Sequence, residues 1–138
     1  MSEKPIAERL QVKLGRRLAV IGAPAEVDAV IGVLQQRAAA AEADVLLLFL
    51  DSRAALDATL ADVSPNLREN VILWLAYPKL SSSLAGDLNR DVIRAAAPAH
   101  GLAPVSQVAI DKDWSALRLT RLASRSGQVR EVWGRRDA

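Results

Sequence analysis

NVILWLAYPKLSSSLAGDLNRD, residues 70–91, joins an unbroken apolar run to a dense polar loop. An apolar run without polar alternation is typical of a strand that is covered on both faces of a sheet. The loop that follows carries one lysine, three serines and Asp87, an aspartate suited to capping the next helix. Because ligands of open α/β sheets bind beyond the carboxyl ends of the strands, we predict a site at this junction.

Periodicity divides the chain into alternating strands and helices. We predict helices at 25–41, between residues 51 and 65, and between residues 87 and 98, with strands at 17–22, 44–50, 71–77, 105–110 and 114–121. This alternation indicates an α/β fold, a Rossmann-like three-layer sandwich whose five-stranded sheet is mainly parallel and ends in an antiparallel hairpin. Right-handed crossovers favour the order 2-1-3 for the first three strands. The pattern leaves open which of the last two strands contacts strand three.

Length and composition predict one domain. The chain has 138 residues, 51% of them hydrophobic, which is enough to bury one core without disulfide or metal support. We expect an N-terminal arm or short helix at 1–16, a single α/β domain at 17–122, and a basic C-terminal tail or edge strand at 123–138. The sequence has no cysteine and one histidine, so we predict no metal site. With no signal-peptide core and no apolar run long enough to span a bilayer, the expected location is cytoplasmic, without membrane association.

Positive charge is concentrated at the two ends of the chain. Residues 1–17 carry a net charge of +3 and residues 117–138 one of +4, whereas residues 18–116 carry −5. The last segment either contacts nucleic acid or another polyanion, or forms a solvated strand and tail, and we favour the solvated form. Its six arginines are Arg118, Arg121, Arg125, Arg130, Arg135 and Arg136.

Six residues that follow the third and fourth strands are candidates for ligand binding. A lysine and hydroxyl groups ahead of a helix suit a carboxylate or a phosphate, and an aspartate and a tryptophan beside the fourth strand could line the same edge. The six are Lys79, Ser81, Ser82, Ser83, Asp111 and Trp114. Catalytic residues stay unassigned, because a serine–lysine pair would need a lysine made neutral by burial.

The loop after the first strand, Gly22-Ala23-Pro24, has the position of a dinucleotide-binding loop. It lacks the G-x-G-x-x-G spacing, and Pro24 has no amide hydrogen to offer a phosphate. We therefore predict neither NAD nor FAD, and no other cofactor. His100 lies at the predicted end of the third helix without an adjacent acid, which fits a helix C-terminal cap.

Several short motifs follow one another in a distinctive order. They are a tryptophan-bearing strand ending in Pro-Lys at 74–79, Asp-Leu-Asn-Arg-Asp at 87–91, Ala-Ala-Pro at 96–98 with Gly-Leu at 101–102, and Asp-Trp-Ser-Ala-Leu-Arg at 113–118. With these motifs, residues 14–121 resemble DUF3052, a bacterial family of unknown function typified by small actinobacterial proteins. The resemblance supports the α/β fold and implies no activity, substrate or catalytic residue.

Three functions remain open from the sequence. The first is a non-enzymatic binding or regulatory module, as a monomer or homo-oligomer, for a small anionic ligand or a protein partner. The second is an enzyme of unrecognised type, related to nucleotide- or methyl-donor-binding α/β folds, that uses Lys79, Ser81 and Asp111. The third is nucleic-acid binding through the basic tail. We favour the first, because the sequence contains no recognisable catalytic triad, metal cluster or nucleotide motif.

Overall fold

The computed structural model describes residues 6–13, 15–67 and 70–122, which form a mixed α/β fold. Its strands are β1 (Leu18–Ile21), β2 (Val45–Phe49), β3 (Ile72–Pro78), β4 (Leu102–Ala109) and β5 (Trp114–Arg121). The α-helices are α1 (Ile6–Arg9), α2 (Ala25–Ile31), α3 (Arg53–Val63) and α4 (Arg90–Ala96), and 3₁₀ turns follow α2, α3 and α4. The predicted tail at 123–138 lies outside the described residues.

The five strands form one sheet in the order β1-β2-β3-β5-β4. β1, β2 and β3 are parallel neighbours, whereas β5 pairs antiparallel with both β3 and β4. The prediction of a mainly parallel sheet is therefore wrong, because half of the pairings are antiparallel. The predicted order 2-1-3 is also wrong, since β2 lies between β1 and β3. β5 is the strand that contacts β3, which answers the question that the sequence left open.

Burial explains why β2 and not β1 is an inner strand. All five residues of β2 are buried, whereas β1 has two buried residues and ends at Ile21, which is 47% exposed. After α2 the chain first returns to the outer side of β1, where Arg37 forms an isolated parallel bridge with Leu18. The first crossover thus ends in a single bridge, and the chain then continues to β2 on the other side of β1. The rule of right-handed crossovers, from which we predicted the order 2-1-3, does not include such an intermediate bridge.

Hydrophobic side chains form one cluster on each face of the sheet. Because side chains alternate along a strand, consecutive residues of β3 belong to opposite clusters. On what we call the α3/α4 face, the helices contribute Leu56, Leu60 and Ile93 against Leu73, Leu75 and Tyr77 of β3. On the α1/α2 face, Ala7, Val27 and Ile31 lie in one cluster with Trp74, Ala76 and Trp114.

Two helix boundaries differ from the sequence prediction. The helix predicted at 25–41 ends at Ile31, because Gly32 and Val33 adopt positive φ angles of 67° and 49° that are incompatible with a right-handed helix. Asn89, rather than Asp87, caps α4: its side-chain oxygen accepts a hydrogen bond from the Val92 amide at 3.0 Å. Asp87 instead accepts from the backbone amide of Arg53 at 2.8 Å. It therefore joins the loop before α4 to the start of α3.

The two ends of the described chain are held by contacts with the rest of the fold. Leu10, just after α1, is fully buried in the cluster of the α1/α2 face. Near the other end, the Arg121 guanidinium donates to the carbonyl of Ser64 at 3.1 Å and to that of Leu67. Arg121 is therefore engaged by the fold itself. Arg125, Arg130, Arg135 and Arg136 lie outside the described residues.

β4 forms one edge of the sheet, with residues 105–107 exposed. Pro104 lies at a shift in its register with β5, as is common for proline in edge strands. Within the described ranges, no helix has the length and apolar character that crossing a membrane requires.

Candidate functional site

A groove of about 520 Å³, which we call the β3 groove, opens where β3 leads into the loop before α4. Tyr77 and Ser115, which are paired across β3 and β5, are its buried lining residues and form its floor. Its rim includes Lys79, Ser81, Asn89, Arg90, Asp91 and Gln107, all at least partly exposed. Because Tyr77 belongs to the cluster of the α3/α4 face, the groove lies on that face, at the carboxyl end of β3.

Lys79 is the first residue after β3. Its backbone amide donates to the Asp113 carbonyl at 2.8 Å, which ties the end of β3 to the turn between β4 and β5. Its side chain is partly exposed in the rim of the groove. Within the described chain, the Lys79 ammonium group forms no hydrogen bond or ion pair. This cation is therefore available to a ligand.

Arg90, the first residue of α4, supplies a second cation to the rim. Its guanidinium donates to the Gln107 side-chain oxygen at 3.4 Å and lies 3.9 Å from an Asp91 carboxylate oxygen. Both distances are long, and the side chains of the ion pair are exposed, so these contacts hold Arg90 weakly. The arginine can exchange them for a stronger acceptor without a large loss of stability.

The Tyr77 hydroxyl is a buried polar atom that lacks a hydrogen-bond partner among the described residues. The side chain is 3% exposed, the hydroxyl itself is closed to solvent, and the Ser115 side chain lies opposite it across β3 and β5. Burial raises the pKa of Tyr77 above 10.0, an effect that the Arg90 guanidinium, Ser115 and the Arg94 guanidinium oppose and the Asp91 carboxylate reinforces. The phenol is therefore protonated near neutral pH, and it can donate one hydrogen bond.

The three predicted serines differ in position. Ser81 lines the β3 groove. Ser82 donates to the Asp113 carboxylate at 2.8 Å and accepts from the Leu84 amide at 3.0 Å, so its hydroxyl stabilises the loop. Ser83 is exposed and lies outside the groove lining. The structure therefore brings one of the three serines together with Lys79.

Asp111 and Trp114 lie near the carboxyl end of β3, as Lys79 does, but outside the groove. One carboxylate oxygen of Asp111 accepts the backbone amides of Asp113 and Trp114, both at 2.8 Å, and thereby shapes the turn before β5. Trp114 is 7% exposed on the α1/α2 face, where its ring packs edge-on against Phe49 with centroids 5.1 Å apart. Trp114 pairs with Pro78, so alternation along β5 places it opposite the face of Ser115 and Tyr77.

Sequence reasoning did not identify most of the groove. Alternation along β3 could have placed Tyr77 and Lys79 on one face. Gln107 and Ser115 had no comparable signal, because they join Tyr77 only through the order β3-β5-β4. Asn89 and Arg90 lay in a quoted motif, but only the position of α4 brings them to the groove.

Two further candidates have structural roles. Gly22 has φ 83°, and a Cβ atom there would come within 3.1 Å of the Phe49 carbonyl, so close approach to β2 accounts for the glycine. The His100 Nε2 lies 3.9 Å from an Asp57 carboxylate oxygen on α3. The two residues are far apart in the sequence, so this contact was not predicted. In the part of the chain that the structure describes, no group of three His, Cys, Asp or Glu residues could hold a metal ion.

Comparison with known proteins places the chain in a family. No curated protein matches the sequence. One solved structure, described as a protein in the NADB-Rossmann superfamily from Streptococcus agalactiae, is similar over 88% of this chain and 69% of its own, with 10% identity and a TM-score of 0.47. A family model described as "Protein of unknown function (DUF3052)" matches residues 24–123, which include β2 to β5 and the whole groove. The resemblance inferred from the motifs is confirmed, and the chain belongs to the DUF3052 family.

Proposed function

We propose that this protein binds a small anionic ligand in the β3 groove. The observation that carries the proposal is the convergence of Lys79 and Arg90 on one groove, with the Lys79 ammonium unpartnered among the described residues. Asp91 is the one acid among the lining residues, so the rim carries a net positive charge. Charge-assisted hydrogen bonds from such cations to a carboxylate or phosphate are stronger than those between neutral groups.

Neutral donors supplement the two cations. The Asn89 side-chain oxygen is occupied by the Val92 amide, and the Gln107 side-chain oxygen accepts from Arg90. Both side chains therefore offer their NH₂ groups to a ligand. The Ser81 hydroxyl lines the same groove. This excess of donors over acceptors matches an oxygen-rich anion.

We assign this function to residues 17–122, as a Rossmann-like three-layer binding module without a required role for the basic tail. The helices that cover both faces of the sheet support the assignment. A chain truncated after residue 122 should bind the same anions with unchanged affinity. Loss of anion binding in the truncated chain, with the fold intact by circular dichroism, would favour the tail as the polyanion-binding element.

Isothermal titration calorimetry at low salt tests the site. The probes are inorganic phosphate, phosphorylated metabolites, nucleotides and S-adenosylmethionine. Lys79→Ala should weaken binding of a phosphate-bearing probe by about tenfold, because a charge-assisted hydrogen bond is lost. Lys112→Ala is the matched control, since Lys112 is exposed on the neighbouring turn and lies outside the groove.

Equal effects of the two lysine substitutions would contradict the assignment, as would the absence of binding by every probe. Affinity should also fall as the salt concentration rises, because both cations are partly solvent-exposed. Any probe that binds is then incubated with the protein and analysed for products. Turnover would identify an enzyme, and recovery of the unchanged probe would support a binding module.

A further inference from the structure

The lining of the β3 groove includes exposed apolar surface as well as the two cations. Leu80, the second residue after β3, is 73% exposed and lines the groove. Ala109, the last residue of β4, is an exposed residue of the same lining. Apolar surface in a concave site gains free energy when a ligand removes it from water. The groove is therefore suited to a ligand that is not polar throughout.

Hydrogen bonds on both sides of Leu80 hold the loop in this position. The Lys79 amide donates to the Asp113 carbonyl at 2.8 Å. On the other side of Leu80, the Ser82 hydroxyl donates to the Asp113 carboxylate at 2.8 Å, and the Ser82 amide donates to the Lys79 carbonyl at 3.0 Å. Leu80 thus lies between two anchored residues. Because this wall of the groove is already ordered, a ligand that packs on it loses little affinity to loop ordering.

The floor of the groove offers no accessible phenol. Tyr77, Ser115 and Ala109 pair in one row across β3, β5 and β4. The Tyr77 hydroxyl is closed to solvent and Ser115 is 4% exposed, so Ala109 is the exposed member of the row. A ligand hydroxyl placed over this row would lose its water without gaining Tyr77 as a partner, whereas carbon atoms would incur no such cost. The floor therefore favours an apolar group over a polyol.

The rim favours a phosphate. Lys79 and Arg90 offer two positive charges, against one carboxylate from Asp91. A phosphate monoester carries about two negative charges and three strong acceptor oxygens, so it complements two cations better than a singly charged carboxylate does. Lys79 and Leu80 are consecutive and line the same groove. A phosphate bound by Lys79 therefore brings the rest of its ligand close to apolar surface.

The groove has space for such a body beside the phosphate, since its volume of about 520 Å³ falls within the range of about 300–1,000 Å³ typical of small-molecule sites. We infer that the ligand is an organic phosphate with an apolar body: Lys79 and Arg90 bind its phosphate, and Leu80 and Ala109 contact the body. This ligand class rests on the proposed function and makes Leu80 the residue that sets the preference for an apolar body.

Calorimetry with the full chain tests this preference by comparing phenyl phosphate, ribose 5-phosphate and inorganic phosphate. A mildly alkaline buffer gives each probe nearly the same negative charge. The wild-type protein should bind phenyl phosphate most tightly. Leu80→Asn should weaken phenyl phosphate binding by about 3- to 10-fold, because a polar side chain replaces apolar surface that the ring covers. The same substitution should leave the affinity for inorganic phosphate unchanged.

Leu84→Asn is the matched control. Leu84 is 51% exposed in the same loop but lies outside the groove lining, so its substitution should change the affinity for none of the three probes. Both leucines are largely exposed, so both variants should keep the fold, which circular dichroism checks.

The heat-capacity change of binding is a second measurement. It should be more negative for phenyl phosphate than for ribose 5-phosphate, because burial of apolar surface lowers the heat capacity. Leu80→Asn should reduce this difference. Equal heat-capacity changes for the two probes in the wild-type protein would contradict the apolar contact.

The outcomes separate the ligand class from the proposed function. If ribose 5-phosphate binds as tightly as phenyl phosphate, or if the two leucine variants behave alike, the apolar body is overturned while the anion site stands. If none of the three probes binds the wild-type protein, the proposed function fails and the ligand class fails with it.

Discussion

Trp74 and Tyr77 lie three residues apart on β3, and each joins a large aromatic ring to one polar atom. Both side chains are buried, on opposite faces of the sheet. The Trp74 indole N–H donates to the Leu10 carbonyl at 2.9 Å. The Tyr77 hydroxyl has no such partner among the described residues, and its ring lines the β3 groove.

The difference separates a polar atom that the fold pairs from one that it buries without pairing. Buried donors in folded proteins are almost always paired, so the pairing of Trp74 is the expected state and the isolation of Tyr77 the exception. The same division applies to charged residues near the site. Asp111 is occupied by two backbone amides, whereas the Lys79 ammonium is unpartnered in the described chain. We therefore expect substitutions of Trp74 and Asp111 to lower stability, Tyr77→Phe to leave it nearly unchanged, and substitutions of Lys79 to affect binding.

The largest expected effect is on the indole. Trp74→Phe should lower the free energy of unfolding by about 2–4 kcal/mol, because it shrinks a core side chain and leaves the buried Leu10 carbonyl unpaired. Urea denaturation followed by circular dichroism measures the change. A loss below about 1 kcal/mol would show that the Leu10 contact is not needed, and Tyr77→Phe serves as the comparison on the same strand.

A smaller effect is expected at the turn before β5. Asp111→Ala should lower the free energy of unfolding by about 1–2 kcal/mol, because two backbone amides lose their acceptor. Asp111→Asn keeps an acceptor oxygen and should retain most of the stability. Neither substitution should change the affinity for inorganic phosphate, measured by calorimetry. A selective loss of phosphate binding in Asp111→Asn would move Asp111 into the group of ligand-binding residues.

Alkaline pH should distinguish Tyr77 from a solvent-exposed tyrosine. Burial raises its folded-state pKa above 10.0, the value expected in the unfolded chain. As pH rises past this value, the unfolded state loses the phenolic proton first, so the part of the unfolding free energy that depends on Tyr77 ionisation is constant below it and declines above it. Unfolding free energies measured across this range should fall more steeply for wild type than for Tyr77→Phe. Parallel curves would contradict the raised pKa.

The smallest expected effect is that of Tyr77→Phe on stability at neutral pH. The free energy of unfolding should stay unchanged or rise by up to about 1 kcal/mol, because the substitution removes a buried donor that has no partner. Denaturation at pH 7, beside Trp74→Phe, tests this expectation directly. A loss above about 1 kcal/mol would mean that the fold does use the hydroxyl, and the comparison between the two aromatic residues would collapse.

Strand positions could be predicted where the spacing of apolar residues in the sequence indicates which residues are buried. The continuous apolar runs at 44–50 and 71–77 form β2 and β3, and the alternating segment at 114–121 forms β5; all three are inner strands of the sheet. Helix ends were predicted less well. Nothing in the apolar spacing of 25–41 indicated that Gly32 and Val33 would leave the helical region, and Asp87 and Asn89 are both good capping residues, so sequence preference could not choose between them.

For the candidate site, the local polarity change after β3 was enough to point to Lys79 and Ser81 at the carboxyl end of a buried strand. The groove itself depends on strand pairing, since Ser115 and Gln107 reach Tyr77 only because β5 lies between β3 and β4. Trp114 shows the same dependence, because its register opposite Pro78 places it on the other face of the sheet. Periodicity records whether a residue is buried, but the partner that it meets is set by contacts between segments distant in sequence, and these form only when the sheet assembles.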